Sequence, residues 1–304
     1  MREAASVRND AGMTRAPHAA LPPLSVLRAF RLTGRPRPLD GGQGQSVRVG
    51  DAVLKPVGDR ADVEWTARLM NGLQGRKAFR VPQFLPSVTG GHVVDGWAAT
   101  RFLTGEPGPV GRWDSLFTAA RDFHQALRDE PRPERLDVYR HPWAVADRVA
   151  WGDSTAEVPA SVRRPVARLL ALREPVAMPD QLVHGDLTGN VLFAPGHAPA
   201  IIDFSPYWRP VAYADAIVVI DGLLHHGAGP SLADSLPPGV ESAQTLVRAL
   251  IFRLVALGIL AGPDGTPADQ ELLGFARVSG LLEERIRGRR GQDPTGTGRT
   301  SGTT

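Results

Sequence analysis

The sequence predicts an α+β protein of two lobes, a small β-rich N-terminal lobe followed by a larger, mainly helical one. Three observations carry the prediction. Residues 24–105 hold the glycine-containing turn "VRVGDAVLKPV", one helical segment near 61–74 and short strand-like runs near 92–103. "LTGEPGP", residues 103–109, reads as a linker. Beyond it, helical patterns recur at 113–127, 141–151, 160–173, 213–226, 241–261 and 268–287, interrupted only by a strand pair within 181–206. The expected lobes are therefore 24–105 and 106–287, with a ligand cleft where they meet.

Residues 1–23 are polar and rich in Ala and Pro, and residues 288–304 have no apolar anchor; both are expected to be disordered tails. The 304 residues are 42% hydrophobic, enough for a substantial core, and include no cysteine, which fits a reducing, cytoplasmic setting. The N-terminus lacks the apolar stretch of a signal peptide. "TLVRALIFRLVALGIL" is broken by Arg248 and Arg253 and reads as a buried helix rather than a membrane span. Net charge is +3 with an isoelectric point near 9.8. Only Lys55 and Lys77 are lysines, and no dense basic run interleaved with aromatics appears, so a nucleic-acid partner is not expected.

The most informative stretch is "QLVHGDLTGNVLFAPGHAPAIIDFSP", residues 181–206. Two β-runs, "NVLF" and "AIID", flank a Pro- and Gly-marked turn, which makes a β-hairpin. Asn190 begins the first strand and Asp203 ends the second, so the open end of the hairpin brings an amide oxygen and a carboxylate together. Such oxygen donors suit a hard cation such as Mg²⁺ with phosphate completing its shell. Asp186 precedes Asn190 in a Gly-containing loop and is placed to orient, or accept a proton from, a hydroxyl beside the metal. Each residue alone is an ordinary turn former; the set His184, Asp186, Asn190 and Asp203 matches the parts used in phosphoryl transfer.

"VHGDLTGNVLF…IIDFSPYWRPVAYADA" resembles the aminoglycoside phosphotransferase and choline kinase-like family, which has a protein kinase-like fold. By order of motifs the resemblance spans roughly residues 37–285, and it is strong in 183–216. It implies that Asp186 is the catalytic base, that Asn190 and Asp203 hold Mg²⁺, and that His184 braces the catalytic loop. It further implies that Asp215, in "YADA", hydrogen-bonds back to that loop. One feature departs from the kinase pattern H-x-D-x-x-x-x-N: Asn190 follows Asp186 after four residues rather than five, and Gly189 is expected to absorb the tighter turn.

The same resemblance requires ATP in the small lobe. Gly41, Gly42 and Gly44 form a turn whose backbone can approach phosphates, though not a Walker A loop. Lys55 ends the apolar run "AVL" and is expected to contact the α/β-phosphates and to pair with Glu64 on the following helix, Asp62 being the competing partner. Trp65, Leu69 and Leu73 form that helix's apolar stripe. The hinge that binds adenine is expected near Phe102 and Leu103, with Val53 and Leu192 on either side of the ring; His124 reads as a packed, hydrogen-bonded histidine.

These assignments describe ATP- and Mg²⁺-dependent phosphorylation of a hydroxyl or amine on a small molecule. A polycationic acceptor would need clustered acids. The later helices instead scatter Asp221, Asp234, Glu241 and others among Arg248, Arg253, Arg277 and Arg285, which argues against an aminoglycoside. Tyr207, Trp208 and Arg209, just after Asp203, are candidates to meet an anionic or aromatic acceptor. Two readings stay open on the same fold: a pseudokinase that binds nucleotide without transfer, suggested by the short Asp186–Asn190 interval, and a nucleotidyltransferase.

Overall fold

The structure is a computed structural model that describes residues 20–39, 45–154, 157–262 and 265–290. The two expected tails fall almost wholly outside those residues. The chain divides into two compact units, one up to Thr104 and one from Gly105.

The first unit opens with a short helix, α1 (Leu24–Ala29), a segment to which the sequence reading assigned no element. Strands β1 (Arg37–Pro38), β2 (Val47–Val49) and β3 (Ala52–Pro56) follow, then helix α2 (Arg60–Gly72), then β4 (Val93–Val94) and β5 (Trp97–Arg101). The strands form one antiparallel sheet in the order β1-β2-β3-β5-β4. Val26, Leu27 and Phe30 of the α1 segment pack on Val47, Val49, Leu54, Trp97 and Ala99, so the helix covers one face of the sheet. Alternation along β3 buries Ala52 and Leu54 and places Val53 and Lys55 together on the other face, half-buried. Asp59 caps α2, its carboxylate accepting from the N–H groups of Ala61 and Asp62. The buried stripe of α2 is Ala67, Leu69, Met70 and Leu73; Trp65 lies at its half-buried margin.

The second unit begins with β6 (Glu106–Pro107) and helices α3 (Trp113–Ala126), α4 (Pro142–Trp151) and α5 (Ala160–Leu170). Then come β7 (Gln181–His184), β8 (Val191–Phe193), β9 (Ala200–Ile201) and β10 (Pro206–Arg209), followed by α6 (Val211–His225), α7 (Val240–Leu260) and α8 (Asp269–Arg290). β8 and β9 are the expected hairpin, with Val191 opposite Ile201, and β6 adds to its outer edge. β7 and β10 pair separately, Pro206 opposite His184 and Tyr207 opposite Val183.

Helix α7 is the centre of this unit, packed by α4, α5, α6 and α8. It is long and apolar enough to cross a membrane, yet 83% of its apolar window is buried inside the protein. The two arginines that interrupt the apolar run find polar partners there, although the buried Nε of Arg248 has none among the described residues. Arg248 donates to Gln244 and to the carbonyl of Glu174, and Arg253 is paired with carboxylates. α5 approaches α7 closely at Gly258, where an added Cβ would lie 2.5 Å from Cγ2 of the fully buried Val162. Gly258→Ala should therefore lower the melting temperature by the equivalent of about 1–3 kcal/mol, despite alanine's better helix propensity. Adding Val162→Ala should restore most of the loss in thermal melts.

Candidate active site

The His-Gly-Asp segment leaves β7 under a tight steric constraint. Tyr207 on β10 crosses over Gly185, where a Cβ would come within 2.4 Å of its ring. Only glycine fits, and this close approach directs the chain out of the strand at Asp186. The N–H of Gly185 donates to the carbonyl of Ser205 at 3.0 Å, closing the same corner.

The loop from Asp186 to Asn190 is a compact turn. The N–H of Asn190 donates to the carbonyl of Leu187 at 2.9 Å, and its Nδ2 donates to the Asp186 carbonyl at 2.7 Å and to Asp186 Oδ2 at 3.1 Å. The four-residue interval thus presses the Asn190 amide directly against Asp186. Gly189 does not supply the tightness, since its backbone stays out of the left-handed region. At the open end of the hairpin the N–H of Ile202 donates to the carbonyl of Asn190 at 2.9 Å, which places Asp203 next in line beside Asn190. Asp203 adopts φ +51°, a left-handed conformation unusual for a residue other than glycine and frequent at functional positions. Both amide hydrogens of Asn190 face Asp186, so the Oδ1 end of the amide points away from it. That oxygen and the exposed carboxylate of Asp203 are donors of the chemical kind that Mg²⁺ takes.

Two buried histidines hold the loop from behind. His184 Nδ1 accepts the N–H of Asp186 at 3.1 Å, so its proton sits on Nε2, which donates to the carbonyl of Ile202 at 3.0 Å. One imidazole therefore ties the start of the loop to the end of β9. His124 Nε2 in turn accepts the N–H of His184 at 3.1 Å, which puts the His124 proton on Nδ1. Burial lowers the pKa of both rings, that of His124 to about 3 with the neighbouring His184 adding to the effect, so both are neutral braces.

Sequence reasoning missed the residues that engage Asp186 from outside its loop. Arg253 Nη2 donates to Asp186 Oδ1 at 2.9 Å, while its Nε and Nη2 donate to Oδ1 and Oδ2 of Asp221 at 2.7 and 2.6 Å. Asp221 also accepts the hydroxyl of Thr188 at 2.9 Å. Burial alone would lower the Arg253 pKa, but its two carboxylate partners raise it above the ordinary arginine value. The only sequence trace of this network was an arginine inside an apolar run.

In the first unit, Lys55 and Val53 share one face of β3, as described. Glu64 does not pair with Lys55. His92 donates its backbone N–H to Oε1 at 2.8 Å and Nδ1–H to Oε2 at 2.7 Å, occupying both oxygens. The hydrogen bond from the His92 ring holds the Glu64 carboxyl below its usual range. At the expected hinge the N–H of Phe102 donates to the carbonyl of Asp51 at 2.7 Å, and Arg48 lies 3.6 Å from the Phe102 ring centre. The Phe102 donor is thus already engaged, while Leu103 is half-buried. Gly41, Gly42 and Gly44 lie outside the described residues. Leu192, on β8 of the second unit, is half-buried opposite Ala200.

Two further expectations are corrected. Arg209 does not await an acceptor: it is held by Asp147 and Asp153 at 2.6 and 2.7 Å and lies over the Trp151 ring. The acid of α6 that hydrogen-bonds to the loop of Asp186 is Asp221, through Thr188, rather than Asp215. Asp215 is half-buried, with its Oδ1 buried and without a hydrogen-bond partner among the described residues. Burial pushes its pKa up to about 7, against the positive charge of Arg121, which pulls the other way. In the unfolded chain the same group titrates near 3.9. Between those values the folded protein keeps a proton that the unfolded chain has released. Its contribution therefore destabilises progressively as pH rises through this window, by about 1.4 kcal/mol per pH unit, and levels off above pH 7. Asp215→Asn should accordingly raise the melting temperature relative to the parent at pH 8 and give little difference near pH 4.

A cavity of about 500 Å³ in the second unit, lined by Arg112, Trp113, Ser115, Gly229 and Ser231 among others, includes none of these residues. The fold agrees with that of several solved kinases. A microcompartment-associated aminopropanol kinase aligns over 87% of this chain and 96% of its own, with TM-score 0.56 and 15% identity. A spectinomycin phosphotransferase in complex with ADP and spectinomycin aligns over 86% and 92%, with TM-score 0.55 and 14% identity. The choline kinase LicA from Streptococcus pneumoniae aligns over 86% and 97%, with TM-score 0.53 and 13% identity. No curated protein sequence matches the chain. The profile of the family described as "Phosphotransferase enzyme family" (APH) matches residues 36–236, two-thirds of the sequence and the whole of the His-Gly-Asp loop and hairpin. With its α+β, kinase-like fold, the chain belongs to that phosphotransferase family.

Proposed function

We propose that the protein is an ATP- and Mg²⁺-dependent kinase that phosphorylates a hydroxyl group of a small metabolite. The observation that carries this reading is the convergence of Asp186, Asn190 and the Asp203 end of the hairpin at one corner of the second unit. Asn190 Oδ1 and the Asp203 carboxylate would hold the cation, which when bound supplies neutralising charge for the phosphate oxygens. Lys55, on the same face of β3 as Val53, would bind the α/β-phosphates, with Leu103 rather than Phe102 offering the hinge contact to adenine.

Asp186 would orient the acceptor hydroxyl and take its proton. Its Oδ1 is engaged by Arg253 and its Oδ2 accepts one bond from Asn190, which leaves lone-pair capacity on Oδ2. Phosphoryl transfer of this kind relies on positioning and electrostatics more than on strong base catalysis, so orientation suffices. An amine acceptor is the less favoured form of the same proposal. No nucleic-acid or membrane partner is assigned, and the cytoplasmic setting expected from the cysteine-free chain belongs with the proposal. The short Asp186–Asn190 interval favours one alternative, a pseudokinase of the same fold.

Asp186→Asn separates these readings. Turnover of Mg·ATP with an acceptor found by screening hydroxyl compounds should fall by about 10²- to 10⁴-fold, while ATP affinity in a binding titration stays close to that of the parent. Turnover unaffected by the change would remove Asp186 from the chemistry. ATP binding without turnover in the parent would establish the pseudokinase. Mass analysis of the product distinguishes phosphate from AMP addition.

A further inference from the structure

We propose that Arg253 is a positioning residue for Asp186: it clamps the Asp186 carboxylate from the buried helix α7 and is itself locked through Asp221 to Thr188 of the same loop. The role in catalysis rests on the phosphotransferase reading above; the clamp itself does not.

Asp186 stands at a loop, with its side chain 47% exposed. Its carboxylate accepts from two side chains among the described residues. Asn190 belongs to the same turn and moves with it. Arg253 is the tie that comes from outside, at 2.9 Å. Arg253 can serve as a fixed point because it has little freedom of its own. Its side chain is 9% exposed, it forks onto both oxygens of Asp221, and its guanidinium carbon lies 5.2 Å from the Trp143 ring centre and 5.0 Å from that of Phe252.

Asp221 is anchored in turn. It is buried on α6 and accepts the hydroxyl of Thr188, itself buried, at 2.9 Å. The connection therefore closes on itself, running from Asp186 to Arg253, to Asp221, to Thr188 and back through Leu187. The loop is gripped at two positions on either side of one residue. A lysine could not replace this arrangement, because the geometry uses two nitrogens of a planar fork to reach three carboxylate oxygens.

The clamp also explains a buried cation in an otherwise apolar helix. A charge there is costly to desolvate, and hydrophobic replacement of such pairs is often neutral for stability. Stability alone thus gives little reason for Arg253 and Asp221, whereas holding the candidate base does. Arg253 lies beyond residues 36–236, so it is not part of the segment that carries the family match.

The test compares the parent with Arg253→Met and with the double variant Asp221→Asn/Arg253→Met. The single change strands Asp221 as an unpaired buried charge and should lower the melting temperature. The double change removes both charges and keeps an oxygen for the Thr188 hydroxyl, so melting should return to within a few degrees of the parent, with ADP binding retained. In crystals of the double variant, the Asp186 carboxylate should leave the position beside residue 253 of α7 that it holds in the parent. Turnover of Mg·ATP should fall about 100-fold, with KM for ATP within about threefold. Turnover that recovers together with melting temperature, or an Asp186 carboxylate that keeps its position, would overturn the clamp. If the parent shows no transfer to any acceptor or to water, the phosphotransferase reading fails, and the crystal comparison still decides the clamp. If the double variant does not fold, Arg253→Lys, which keeps the charge and loses the fork, is read by the same crystal and kinetic measurements.

Discussion

A charge removed from water has to be matched by charges and donors at fixed places, and in this protein that requirement is concentrated on Arg253. Its guanidinium fixes where α6 and α7 meet, because Asp221 has to lie within reach of its fork. Thr188 has to follow, because Asp221 would otherwise lack its hydroxyl donor. The loop that carries Asp186 is thereby set against the helical core before any ligand arrives. The apolar packing of α7 supplies most of the unit's cohesion, but it is non-directional. The ionic contacts select one arrangement from those that packing alone would allow.

A second set of constraints acts from the opposite side of the loop. His184 and His124 are neutral, and each ring nitrogen that accepts a backbone N–H assigns the proton to the other nitrogen. Tyr207 excludes any residue but glycine at 185. The His-Gly-Asp segment is thus determined by three different kinds of physics: tautomer-specific hydrogen bonding at 184, steric exclusion at 185 and ion pairing at 186. Each acts through a different element of the fold, which accounts for the compactness of the turn despite its short interval to Asn190.

Much of this was legible in the sequence wherever the signal was local. Helical periodicity located α2 through α8 to within a few residues, and Pro-Gly between two β-runs located the hairpin. α1 was missed because six residues after two prolines show too little periodicity; its three core residues are defined by the sheet they cover. The site was less legible where it depends on partners far away in sequence. Glu64 was placed on the correct helix, but its partner His92 stands 28 residues on, in an irregular segment with no pattern to announce it. Asp215 was credited with a bond that Asp221 makes, since both acids lie on α6 and only the packed structure shows which one meets Thr188. Arg253 was visible as an interruption, and its meaning lay in carboxylates 32 and 67 residues earlier.

That last separation has a consequence for biogenesis. A polypeptide leaves the ribosome from its N-terminus, so the His-Gly-Asp loop and the hairpin emerge well before α7. The His-Gly-Asp loop and the hairpin can be exposed to the cell while the cation that seats Asp186 is still being translated. Docking of α7 is therefore the event that completes the loop, and a nascent chain stalled short of residue 253 would display the family's signature with its carboxylate unseated.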